Sequence, residues 1–272
     1  MSKLFLFSLL VLAFAGCQRP ETTGSQESPT PSRTFAQARS QFQTKLTRTS
    51  GEKGEPETPP AGLFSLVEYS SKLGPMPAYL SNIPKDGKQH PAVIWILGGF
   101  GNSIGDVWSE EDPSNDQTAA VIREAGIVMM YPAQRGGNTS PGADETCYGE
   151  IDDILAAAEF LAKQSGVDPE RIYLAGHSTG GTKAILAAEA SNVFRAVFSL
   201  GPVAAVEDYG PEYFTFDTRN RQEFEMREPL RWLSSLTTPL YIFEGVEGNI
   251  SSLRQFQEAV QREGTTLVHC HE

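Results

Sequence analysis

The run Gly176-His177-Ser178-Thr179-Gly180, followed at once by Gly181, limits the fold more than any other part of this chain. Before it, Arg171 to Ala175 reads as a strand; after it, Gly180 to Ala190 reads as a helix. A chain that passes from strand to helix in so few residues must make a tight, strained turn. Such a turn lifts Ser178 above the edge of a sheet, and side chains at the flanking glycine positions would collide with neighbouring backbone. The helix that follows points its positive end at the serine and favours negative charge developing there. Serine and glycine are common, so the letters alone could mark an ordinary turn. The strand-turn-helix context favours Ser178 as a nucleophile.

The surrounding pattern is an alternation of strands and helices. Leu63 to Tyr69 and Met76 to Ser81 read as paired strands joined through Gly74-Pro75. Ala92 to Leu97 and Gly126 to Tyr131 are short apolar runs of the kind buried on both faces of a parallel sheet. Gln117 to Ala125 predicts a short helix. In Tyr148 to Gln164, Ile151, Ile154, Leu155, Ala158, Leu161 and Ala162 share one helical face. Phe194 to Leu200 and Leu240 to Phe243 predict two more strands, Ser252 to Glu263 an amphipathic helix, and Thr265 onward a last strand. This order implies an α/β fold: an open, mostly parallel sheet with helices on both faces.

Gly98-Gly99-Phe100-Gly101 follows the apolar run Ala92 to Leu97 directly. Glycines let backbone approach a substrate closely. Backbone N–H groups of Gly99 and Phe100, with that of Thr179 beside the nucleophile, are the candidates to hold an oxyanion. A phosphate-cradling loop is the rival, but its spacing fails: Ile104 stands where the third glycine belongs, and no Gly-Lys-Ser/Thr follows.

Five short motifs now occur in order: Gly98-Gly99-Phe100, Arg135-Gly136-Gly137, Tyr148-Gly149-Glu150-Ile151-Asp152-Asp153, Val167-Asp168-Pro169-Glu170-Arg171-Ile172, and the Ser178 run with Gly181. Together they resemble the catalytic domain of the prolyl oligopeptidase (peptidase S9) family and its dienelactone-hydrolase-like relatives in the α/β-hydrolase superfamily. The resemblance covers residues 63–272. It implies an α/β-hydrolase fold and a serine hydrolase that cleaves an ester or amide bond through an acyl-enzyme on Ser178, with no cofactor and no metal. It does not separate esterase from peptidase. In such proteins the Asp168-Pro169-x-Arg171 segment is structural. Arg135 is read two ways, as a ligand for a substrate carboxylate or as a structural ion pair.

The resemblance also implies the triad order serine, acid, histidine. The acid is expected after Leu240 to Phe243, where Gly248 occupies the usual aspartate position. Glu247 is the first candidate, Glu244 the second, and Asp208 the third. The histidine is harder to place. His90 and His177 precede the serine, while His269 and His271 alternate in the last strand pattern. His271 is the candidate base by chain order; a metal pair with His269 is a weaker reading, for lack of a third ligand. The other expectation is a chain truncated at its C-terminus, lacking the histidine loop. On that expectation a non-catalytic hydrolase-fold binding protein, or an inactive fragment, is the alternative function.

The N-terminus has its own signals. Lys3, the apolar run Leu4 to Ala15 and Ala15-Gly16-Cys17 read as a signal peptide over residues 1–17. Its end resembles a bacterial lipobox, with Phe14 where leucine is usual. Lipidation of Cys17, export and membrane attachment through the lipid are the expectations, at the periplasm or cell envelope. Residues 18–62 are rich in Pro, Ser, Thr, Glu and Gln and predict a disordered tether. Within it Phe35, Ala38, Phe42 and Leu46 recur at helical spacing, as a short docking helix would require. The net charge of -12 argues against nucleic acid as a partner. Cys147 and Cys270 could oxidise in an exported protein, though nothing in their spacing brings them together.

Overall fold

In a computed structural model, residues 33–51, 53–112 and 116–272 are described. The expected signal peptide, the lipobox and Cys17 lie outside the described residues. The chain turns back at Lys72-Leu73 rather than at Gly74-Pro75, which are already the first paired residues of the second strand, so that β1 (Phe64–Ser71) and β2 (Gly74–Ser81) pair antiparallel along their whole length. The parallel strands are β3 (His90–Ile96), β4 (Val128–Pro132), β5 (Val167–His177), β6 (Val197–Leu200), β7 (Leu240–Phe243) and β8 (Val268–His271). One sheet results, in the order β1-β2-β4-β3-β5-β6-β7-β8, with β2 antiparallel to β4 and every pair from β4 to β8 parallel.

Alternation of side chains along each strand sorts the sheet into two faces. Ile94, Ile96, Leu174, Val197, Leu240 and Ile242 lie on the first face, in one core with buried residues of α1 (Phe35–Ser40), α3 (Glu150–Ala162), α4 (Thr179–Ala190) and α6 (Ile250–Glu263). Val93, Trp95, Tyr131 and Ala175 face the other way, with Ile122 of α2 (Ala120–Glu124) packed beside them. The outer strands β7 and β8 carry Tyr241 and Phe243, and His269 and His271 stack on these rings. The fold is that of an α/β-hydrolase. Between β6 and β7, 3₁₀ turns and α5 (Arg221–Glu225) form a small cap around Val206, Phe214 and Phe216.

Residues from 33 onward correct the expectation of a disordered tether. Thr34 caps α1 reciprocally with Gln37, and Phe35 and Ala38 are fully buried. Arg39 donates to the Tyr148 carbonyl at 2.7 Å and pairs with Asp152 at 3.1 Å. Further on, Thr44 Oγ1 and Lys45 N donate to the Glu223 carboxylate, each at 2.7 Å. Glu223 is itself held by the fully buried Arg227 at 2.6 Å, and Arg227 donates to Thr44 Oγ1 at 2.7 Å. Average composition misled because Phe35 and Ala38 share the docked face, with Phe42 and Leu46 half-buried after them, and several polar residues find partners on the domain. Cys147 is buried, Cys270 half-buried, and both are free thiols.

If α1 is part of the core, Phe35→Ala removes a fully buried ring that packs 5.1 Å from Trp232. Unfolding in urea should then show a loss of about 3 kcal/mol. A true tether would show none.

Candidate active site

Ser178 sits between β5 and α4 with φ 53° and ψ −118°, a conformation that non-glycine residues avoid. Its N–H donates to the Leu200 carbonyl of β6 at 2.7 Å, which holds the turn against the sheet. The glycines are required by space. A Cβ on Gly176 would overlap the Gly180 carbonyl, and one on Gly180 would overlap the Ile96 carbonyl of β3. A Cβ on Gly181 would lie 2.8 Å from Ser199 Oγ and 2.9 Å from the Leu200 oxygen. α4 therefore starts hard against the sheet, with the N–H of Thr179 in its first turn, where helical N–H groups have no partner within the helix.

The loop after β3 stands opposite. Gly98 N–H donates to Gln117 Oε1 at 2.9 Å, and Gly99 takes φ +92°. Thr179 Oγ1 donates to the Gly99 carbonyl at 2.5 Å. Phe100 stacks on Tyr213 and meets the edge of Tyr209, so the cap's 3₁₀ turns reach the loop. Thus Gly99, Phe100 and Thr179 are brought together beside Ser178.

Behind the loop lies a buried polar network that joins Arg135 and Glu150, from two of the motifs, to Asn102 and Lys183, which no motif marked. Asn102 Nδ2 donates to the Arg135 carbonyl at 2.9 Å and to Glu150 Oε1 at 3.0 Å. Lys183 Nζ, on α4, donates to Asn102 Oδ1 at 2.7 Å. Burial alone would raise the Glu150 carboxyl, but Lys183 and Arg135 hold it below its usual pKa. Nearby Asp144 is pushed up to about 7, chiefly by burial and then by Glu150. Lys183 could have been suspected, because it interrupts a small and apolar helix face before Ala184-Ile185-Leu186.

Arg135 belongs to the same network. Its Nε and Nη2 grip the two oxygens of Asp153 at 2.8 and 3.0 Å, and its Nη1 meets Glu145 at 2.5 Å. It is buried and fully engaged, so the structural alternative holds and the substrate-carboxylate alternative does not. Gly149 is bare because a Cβ there would strike the Arg135 guanidinium. Asp168 pairs with Arg171 at 2.7 Å, and Arg171 also donates to the Gln89 carbonyl at 2.8 Å, pinning the entry to β5 beside β3.

The acid candidates part company in space. Glu247 is exposed on the loop after β7, and Asp208 is exposed in a 3₁₀ turn. Glu244, the residue just after β7, is half-buried, with Oε2 sealed from solvent and unpartnered. A Cβ added to Gly201 would stand 3.8 Å from both Glu244 Oε2 and His177 Nε2. Both side chains line a cavity of about 430 Å³ at the carboxyl ends of the strands. Burial lowers the His177 pKa, while Glu244 pulls it back up.

His271 is not brought to the serine. It lies on β8, three strands from β5. At about 4.8 Å per strand the separation is roughly 14 Å. That compares with about 3 Å for a working proton transfer. Chain order suggested His271, and strand order removes it. His90 sits at the opposite end of β3, on Asp86 at 2.9 Å. Among the described residues the Ser178 hydroxyl makes no hydrogen bond.

Comparison with known proteins agrees with the fold. The model of the prolyl oligopeptidase family matches residues 113–247. A prolyl endopeptidase of Elizabethkingia meningoseptica is 27% identical over 125 residues, covering 44% of this chain and 17% of the relative. One from Elizabethkingia miricola is 29% identical over 125 residues, covering 42% and 17%. The chain thus spans less than a fifth of the length of these curated relatives. Among solved structures, a puromycin-hydrolyzing peptidase of Mycobacterium tuberculosis superposes with TM-score 0.63 at 19% identity, over 79% of this chain and 37% of that one. Dipeptidyl peptidase 4 of Porphyromonas gingivalis gives 0.59 at 20% identity, over 76% and 31%. At such identities the likeness is one of fold.

The elbow's spacing is testable. Gly180→Ala drives a methyl group into the Ile96 and Leu97 carbonyls, whereas a Cβ on Gly105 meets nothing within 4 Å. Urea unfolding should show Gly180→Ala destabilised by about 1–3 kcal/mol. Gly105→Ala, as the control, should stay close to wild type.

Proposed function

Taking the chain as an α/β-hydrolase domain related to the prolyl oligopeptidase family, we propose that it is a serine hydrolase cleaving an ester or peptide bond through an acyl-enzyme on Ser178. The observation that carries this reading is the strained Ser178 backbone, with φ 53° at the mouth of α4. Strain of about 1–3 kcal/mol persists only where the surroundings enforce it, and here it stands the hydroxyl clear of the sheet. The hydroxyl attacks the carbonyl, and Thr179 N–H with a loop N–H from Gly99 or Phe100 takes the charge. A carboxylate orients the base; Glu247 was favoured by motif position, while burial and the outlook on His177 now favour Glu244. No cofactor or metal enters the scheme.

A second reading is a hydrolase fold that binds without catalysis. It is favoured by the unpartnered Ser178 hydroxyl, which meets no histidine among the described residues. A fluorophosphonate probe separates the two. Wild-type protein should label, and Ser178→Ala should lose the label completely; a folded wild-type protein that takes no label would establish the binding reading instead. For a labelling enzyme, turnover of p-nitrophenyl esters against aminoacyl anilides assigns esterase or peptidase.

We also propose export and attachment to the cell envelope through lipid on Cys17, supported by Lys3, the apolar Leu4 to Ala15 and the Ala-Gly-Cys ending. A fatty-acid label supplied to expressing cells should enter the wild-type protein and not Cys17→Ser. Equal labelling of both would remove the lipid.

A further inference from the structure

Resting on the hydrolase reading, we propose that residues 44–48 are a strap: they add a strand to the cap and, through Arg48, fix Tyr213 on Phe100, closing one side of the Ser178 site. The pairing is made by backbone. Leu46 lies opposite Phe216 in an antiparallel bridge. Flanking it, Thr47 N–H donates to the Thr215 carbonyl at 2.8 Å, and Asp217 N–H to the Lys45 carbonyl at 3.0 Å. Thr47 Oγ1 also donates to the Phe216 carbonyl at 3.1 Å. Arg48 reaches further along the cap. Its Nε donates to the Phe214 carbonyl at 2.9 Å and its Nη2 to the Glu212 carbonyl. These two carbonyls flank Tyr213, so one planar guanidinium grips the chain on both sides of that ring.

Tyr213 matters because of what it rests on. Its ring stacks on Phe100 with centroids 3.3 Å apart, and Tyr209 meets the Phe100 ring edge-on. The Tyr209 hydroxyl lies 2.6 Å from Thr182 Oγ1, one turn into α4 from Ser178. The cap thus leans on the loop after β3 and on α4, the two elements beside the serine. Its own means of staying there are slight. Val206, Phe214 and Phe216 bury a small cluster apart from the cores on the two sheet faces, and that offsets little of the entropy of ordering these turns. On the domain side the Tyr213 stretch is held by one hydroxyl, Thr146 Oγ1, 2.8 Å from Thr215 Oγ1 and 3.3 Å from the Tyr213 carbonyl. The strap holds it from the other side. The strap is itself fixed at both ends: α1 is docked before it, and after it the Ser50 carbonyl accepts from Asp144 N–H at 3.1 Å.

Arg48 is exposed, so its replacement leaves the core intact. The test compares Arg48→Ala and Arg48→Lys with wild type, with the exposed neighbour Thr49→Ala as control. Hydrogen exchange across residues 209–217 should quicken about tenfold in Arg48→Ala, while exchange in β5 stays at the wild-type rate. Arg48→Lys should fall between, because an ammonium lacks the fork that spans both carbonyls. The second readout is the rate at which Ser178 takes a small alkyl fluorophosphonate relative to a bulky dye-bearing one. That preference for the small probe should drop about threefold in Arg48→Ala, as the wall beside the serine loosens. Thr49→Ala should match wild type in both. Unchanged cap exchange in Arg48→Ala overturns the strap. Exchange that quickens equally in β5 also overturns it, since Arg48 would then serve general stability. Quickened cap exchange with an unchanged probe preference overturns the closing of the site. A wild-type chain that takes no fluorophosphonate sinks the hydrolase reading instead, and the exchange comparison still decides whether the strap holds the cap.

Discussion

Everything at the candidate site depends on one backbone constraint: Ser178 is held at positive φ by the Leu200 carbonyl and by glycines that admit no side chain. That conformation is unfavourable for serine by about 1–3 kcal/mol taken alone. It persists because three strands converge on it. β5 delivers the residue, β6 accepts its N–H, and β3 crowds Gly180 through the Ile96 carbonyl. Relaxing the turn would break the packing of α4 on the sheet. The same closeness sets the start of α4 beside the loop after β3, so the placement of Ser178 and of the glycine loop are consequences of one fit.

A second layer keeps that fit rigid. Lys183 and Asn102 join α4 to the loop, and Glu150 and Arg135 join the loop to α3. Such a network is costly to bury, since each charge leaves water. It holds because nearly every partner is satisfied: Arg135 spends its guanidinium on Asp153 and Glu145, and Lys183 and Arg135 keep Glu150 ionised in the interior. The Arg135-Gly136-Gly137 and Tyr148-Gly149-Glu150 segments are thereby explained by geometry. Gly149 is bare to admit the Arg135 side chain, and Gly137 is bare to admit the backbone at Asn102.

Legibility differed by the range of the interaction. The elbow, the glycine loop and the strand-helix alternation were readable because each is written in a few consecutive residues. The Asp168-Arg171 turn was readable for the same reason. Arg135 could not be decided, since a guanidinium in a loop meets solvent or carboxylates according to residues 10 and 18 positions away, Glu145 and Asp153. The segment from 33 to 51 was legible in part: the helical spacing of Phe35 and Ala38 marks the docked turn, while composition averages hide it and the anchoring of Thr44 and Lys45 depends on Glu223 and Arg227 far along the chain. Glu247 and Glu244 are three residues apart in the chain, yet one faces water and the other a cavity shared with His177.

The sequence by itself determined the fold class and the strand-turn-helix elbow at Ser178, because periodicity and the glycine spacing around a tight turn are local properties. Only the tertiary structure decided which groups share the site. Strand order, which depends on long-range pairing, puts β8 and His271 at the sheet's edge, three strands from the serine, although they follow it as the triad order asks. It also brings Thr179 to Gly99, 80 residues apart in the chain, so that a residue read only for its backbone N–H also ties α4 to the neighbouring loop through its hydroxyl.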